Sequence, residues 1–147
     1  MDTKPLDFVS KTNAFHADDA YAQQLGITSG SAGPGWCETR LDVVSESHFR
    51  GSDRISGGVL AGISEYTAAA AAATLTDGSK APRLVELKLS LLRTPVADSL
   101  RCRAKVLTPG TDLMFVEAEV YALKQTQEVM IAKASVTVAV RENDATW

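Results

Sequence analysis

The chain has only two cysteines, Cys37 and Cys102, and their separation fits neither a metal-ligand spacing nor a disulfide framework. That scarcity predicts a reducing, cytoplasmic setting. Positive charge is also short: 15 Lys and Arg against 18 Asp and Glu leave a net charge of −3 and a pI near 5.3. A nucleic-acid partner is not expected from that balance. The segment MDTKPLDFVSK has no apolar core of the kind a secretory signal needs, so none is expected. The one long apolar stretch is rich in alanine and broken by Glu65 and threonines, which makes it a poor membrane span. The glycine-rich Ser29–Gly35 lacks the following lysine and Ser/Thr of a phosphate loop, and reads as a flexible connector. Internal repeats are missing. What remains is ordinary for one soluble domain over residues 1–147, with 45% hydrophobic and 22% charged residues and length enough for a real core.

The densest run of small apolar residues falls in Gly57–Leu75, GGVLAGISEYTAAAAAATL, which has no proline, lysine or arginine. Alanine is the best helix former, and a helix of this length spans about 28 Å, the width of a small domain. Apolar or small residues occupy nearly every face, so the helix is expected to be wrapped on most sides. Its single charged residue is Glu65, and a carboxylate is costly to bury unless it is paired, protonated or used. Ser56 suits the N-cap, and Gly57 and Gly58 expose backbone N–H groups to close approach.

Around this helix the chain reads in order. Residues 1–13 carry little pattern and predict a loose lead-in, with the core over about 17–140. Ala17–Leu25 reads as a short helix stopped by Gly26. Trp36–Val44 alternates as a half-buried strand, and Ser45–Ile55 reads as a polar loop. After the helix come four alternating runs, around Val85–Leu91, Arg101–Val106, Met114–Tyr121 and Met130–Val138, with a type II turn at Thr108–Thr111. A strand, a long helix and a meander of strands predict an α+β fold, with an antiparallel sheet of about five to six strands covering the helix.

The segment Arg50-Gly51-Ser52-Asp53-Arg54-Ile55-Ser56-Gly57-Gly58, followed by Glu65, resembles the loop and helix start of hotdog-fold acyl-CoA thioesterases of the PaaI-like and 4-hydroxybenzoyl-CoA type. That family carries Asn-x-x-Gly-x-x-His-Gly-Gly and then an Asp or Glu about two helical turns on. The glycine pair and the acid match; Arg50, Asp53 and Ser56 stand where the family has Asn, Gly and His. The strand Leu84–Arg93 with Thr94-Pro95 also resembles the family's second strand. The resemblance implies a hotdog fold, a homodimer or homotetramer with the site at the subunit interface, and an aryl- or medium-chain acyl-CoA substrate. No cofactor is implied beyond the coenzyme A of the substrate, and no metal.

Thioester hydrolysis needs a base or nucleophile, and a donor for the oxyanion that develops. Glu65 suits the first role and the Gly58 N–H, at the positive end of a helix dipole, the second. Gly57, Ser56, His48, Arg50 and Asp53 complete the candidate substrate-binding set. The plainer alternatives are an N-cap for Ser56, a turn residue for Asp53 and a surface-loop histidine for His48. Arg50, Arg54, Arg83 and Arg93 are available to the phosphates of coenzyme A. Two further readings stay open: a non-catalytic acyl-thioester-binding protein, and a hotdog enoyl-CoA hydratase, whose Asp-x-Asn-Pro-x-x-His-like motif is not found.

Overall fold

The computed structural model describes residues 7–51, 53–94 and 96–143. The chain opens with α1 (Phe8–Ala17) and α2 (Ala20–Leu25), then forms a hairpin of β1 (Ile27–Gly33) and β2 (Trp36–Asp42). A short turn of helix, α3 (Ser45–His48), leads into the two-residue strands β3 (Phe49–Arg50) and β4 (Arg54–Ile55). Next comes the long helix α4 (Gly57–Ala73), followed by β5 (Lys80–Leu91), β6 (Ser99–Thr108), β7 (Leu113–Lys124) and β8 (Gln127–Glu142). Six strands form one antiparallel sheet in the order β1-β2-β6-β7-β8-β5, and β3 and β4 pair separately.

The alanine run explains how the sheet closes on α4. Ala68, Ala70, Ala71 and Ala72 are essentially inaccessible, and their short side chains let the strands approach the helix closely. The strands contribute Leu41, Leu100, Ala104, Val116, Val120, Ala134 and Val138 to the same core. A polar stitch fastens helix to sheet: Thr67 Oγ1 donates to the Ile63 carbonyl at 2.6 Å and accepts from Thr39 Oγ1 at 2.7 Å. Cys37 Sγ donates to the Thr67 carbonyl at 3.3 Å. Both cysteines are buried and unbridged, and burial pushes the Cys102 thiol up to about 12, so it is no nucleophile. At the far end of α4, Lys11 Nζ donates to the carbonyls of Thr74 and Thr76, a cation placed against the negative end of the helix.

Several expectations are corrected. The loose lead-in becomes α1 from Phe8, capped by Asp7, whose side chain accepts from Ser10 N; the first six residues lie outside the described range. Most of the expected connector Ser29–Gly35 is strand β1. Its backbone pairs with β2 from Ile27↔Leu41 to Gly33↔Trp36, with a register shift between Ser29 and Ala32, so pairing overrides a loop-like composition. The expected polar loop Ser45–Ile55 contains α3 and the paired strands β3 and β4, with Gly51 at a φ of +75°. On β5 the alternation buries less than its pattern promises. Leu87 and Leu89 pack against the core, whereas Val85, at a register shift, and Leu91 are 56% and 52% exposed. Pro95 of the Thr94–Pro95 pair lies outside the described residues.

Candidate active site

Most of α4 is buried; its accessible residues are Gly57, Gly58, Ala61, Glu65 and Ala73. Residues 58, 61 and 65 recur at helical spacing, so the helix start and Glu65 share one open stripe. Ser56 is the N-cap, and its Oγ accepts from the Gly58 N–H at 3.3 Å. Neither glycine is required by the chain's own packing. A β-carbon at Gly58 would meet only Ser56 Oγ at 3.6 Å, and one at Gly57 only Leu91 Cδ1 at 3.4 Å, both ordinary contacts. Neither has a positive φ. The open surface over the helix start is therefore available for something outside the fold.

Glu65 is half-buried, and among the described residues it takes part in no hydrogen bond or ion pair. Burial, and after it the negative charge of Asp19, push its carboxyl above the ordinary glutamate range. A carboxylate raised in this way is a better proton acceptor than an ordinary one.

The hairpin before α4 brings Arg50 and Arg54 directly opposite each other, and both are exposed. Asp53, also exposed, approaches Arg54 at 4.0 Å, a weak surface pair. His48 departs from the sequence expectation. It is 2% exposed, with Nδ1 accepting from Val44 N at 2.8 Å. Its other nitrogen, Nε2, must then carry the proton and donate to the Leu25 carbonyl at 2.7 Å. Both ring nitrogens are thus engaged by backbone from separate segments, and His48 ties the end of α2 to the turn before the hairpin. The structure brings together Ser56, Gly57, Gly58 and Glu65, sets Arg50 and Asp53 on the adjoining hairpin, and withdraws His48 into the interior.

Sequence reasoning missed α2 as part of this surroundings. Asp19 caps that helix, its Oδ1 accepting from Ala22 N at 2.8 Å, and Leu25 and Tyr21 press on Gly62 of α4. The available signal was Gly62 itself, an isolated glycine inside a helical run, which costs about 1 kcal/mol relative to alanine and so points to a close packing partner. Among the described residues no group of three or more His, Cys, Asp or Glu side chains is placed to hold a metal ion. No helix among them is long and apolar enough to cross a membrane.

No curated protein matches the chain. Solved structures do. A thioesterase family protein from Silicibacter pomeroyi superposes with a TM-score of 0.81 at 20% identity, covering 93% of this chain and 100% of that one. The E. coli PaaI protein from the phenylacetic acid degradation operon gives 0.78 at 20% identity, over 95% and 99% of the two chains. A conserved protein from Pseudomonas aeruginosa gives 0.73 at 28% identity, over 83% and 94%. These likenesses identify the helix-in-sheet architecture as the hotdog fold. The family model of the thioesterase superfamily matches residues 53–129, from the hairpin before α4 into β8 and just over half of the sequence, and the chain belongs to that superfamily.

Proposed function

We propose that the chain is a thioester hydrolase acting on an aryl- or medium-chain acyl-CoA, with Glu65 as general base or nucleophile and the Gly58 N–H as oxyanion donor. The observation that carries the reading is the open stripe of α4: a half-buried carboxylate without a partner among the described residues shares it with a glycine pair that the chain's own packing does not need. In the hydrolytic step, the oxygen of a water molecule bonds to the carbonyl carbon and its proton passes to Glu65. The C–S bond then breaks, and the departing sulfur takes up that proton. The carbonyl oxygen, as it gains charge, takes over the Gly58 N–H from Ser56 Oγ, whose hold on it at 3.3 Å is long. Arg50 and Arg54, like charges held opposite each other beside the helix start, suit the phosphates of coenzyme A.

The assembly belongs to the same proposal. β5 is an edge strand with Leu84, Val85 and Leu91 exposed, as is Leu92 just after it, and an apolar edge of that length invites pairing with a second copy. The sheet's outer face, by contrast, is laced with internal ion pairs, Glu38 accepting from Arg101 at 3.1 Å and Arg103 at 3.4 Å. A homodimer through β5 brings a partner's edge to the end of β5 where Leu91 stands beside the helix start at Gly57.

One observation favours a second reading: the Gly58 N–H is already occupied by Ser56 Oγ, as in a protein that binds acyl thioesters without cleaving them. A panel of acyl-CoAs monitored for free thiol, with wild type and Glu65→Gln in parallel, separates the two. Hydrolysis lost in the variant supports the enzyme. Binding without hydrolysis in either protein supports the binder.

A further inference from the structure

Tyr21 projects from α2 onto the part of α4 that lies between Gly58 and Glu65. Gly62 stands four residues after Gly58 and three before Glu65, so the three fall on one helix face. A β-carbon on Gly62 would lie 2.9 Å from Leu25 Cδ2, 3.1 Å from Tyr21 Oη and 3.3 Å from Tyr21 Cε1. The phenol thus occupies the space that a side chain at position 62 would fill. β-Carbon positions three residues apart on a helix are separated by about 5–6 Å, so the Tyr21 hydroxyl stands beside the helix turn that carries Glu65.

The support for this placement is firm although the side chain itself is 55% exposed. Asp19 caps the start of α2, Ala22 is fully buried, Gly26 ends the helix in the left-handed conformation, and His48 Nε2 holds the Leu25 carbonyl. Among the described residues the Tyr21 hydroxyl has no hydrogen-bond partner. Tyr66, next to Glu65 in the chain, is buried against Phe15 and His16. The ring packs on Gly62, and its hydroxyl, on a braced helix, is left beside the stretch of α4 between the donor and the base.

We propose that Tyr21 is a further catalytic residue, its hydroxyl donating a hydrogen bond to the water that Glu65 deprotonates. The inference rests on the hydrolase reading above. Tyr21 neither gains nor loses a proton in the step. It fixes the water so that a lone pair faces the carbonyl carbon while the water's proton faces Glu65, whose carboxylate accepts it. Because the phenol touches the water and not the acyl-CoA, its hydroxyl affects turnover and not substrate binding.

The test compares wild type, Tyr21→Phe and Glu65→Gln on the same acyl-CoA panel, with melting temperatures measured on each. Phenylalanine keeps the ring against Gly62 and removes only the hydroxyl. The expected result is a kcat lower by about ten- to hundredfold, with KM and melting temperature unchanged. A Tyr21→Phe kcat within about twofold of wild type, in a protein that Glu65→Gln inactivates, overturns the role of Tyr21 and leaves the hydrolase reading standing. A raised KM with unchanged kcat also overturns it, since that pattern belongs to substrate contact. Absence of hydrolysis in the wild type overturns both.

Discussion

Asp19, the N-cap of α2, lies near enough to Glu65 of α4 for its negative charge to add to burial in opposing ionisation of Glu65. If Glu65 must be ionised to accept a proton, activity rises with pH through its elevated pKa. Asp19→Asn removes the like charge and keeps a good N-cap. The acid limb of the pH–kcat/KM profile is therefore expected to move to lower pH in that variant. An unmoved limb contradicts the electrostatic coupling.

The same elevation has a stability consequence. In the unfolded chain Glu65 titrates near the ordinary value of 4.5, and in the fold it titrates higher, so between the two the folded state holds more protons. Stability from this group is present below the unfolded value and is lost as pH rises through the folded one. Glu65→Gln is accordingly expected to melt with wild type in acid and above it at neutral pH. Thermal melts across that window check this, and a variant less stable than wild type at neutral pH points instead to a structural partner for the carboxylate.

Gly58→Ala separates fold from function at the helix start. The new methyl meets only Ser56 Oγ at ordinary distance, and alanine is the better helix residue by up to about 1 kcal/mol. The melting temperature is expected to stay level or rise while turnover falls, because the methyl obstructs approach to the N–H. Turnover equal to wild type removes the oxyanion role from Gly58.

The exposed edge of β5 predicts assembly. Light scattering at micromolar concentration is expected to give at least twice the 15.6 kDa chain mass. A monomer contradicts the edge-pairing proposal.

Much of this architecture was legible in the sequence because its signals are local and periodic. The alanine run, the cap at Ser56 and the alternation of Cys102–Val106 and Met114–Val120 each follow from residue type and spacing, and the structure buries those strand faces as expected. β1 was not legible, since Ser-Gly-Ser-Ala-Gly has the composition of a loop and owes its extended form to pairing with β2. His48 was misplaced for a related reason. Its burial depends on Val44 and on Leu25, the latter far away in sequence, and no local pattern announces such partners. Asp19 and Tyr21 reach the candidate site only because α2 folds back onto Gly62, a contact between segments that sequence spacing does not encode.

The most direct test of the account is thiol release from a panel of acyl-CoAs by wild type and Glu65→Gln, with melting temperature measured on both. The account predicts that Glu65→Gln remains folded and binds acyl-CoA, yet hydrolyses it at least about 100-fold more slowly. Near-normal turnover in the Gln variant would contradict it.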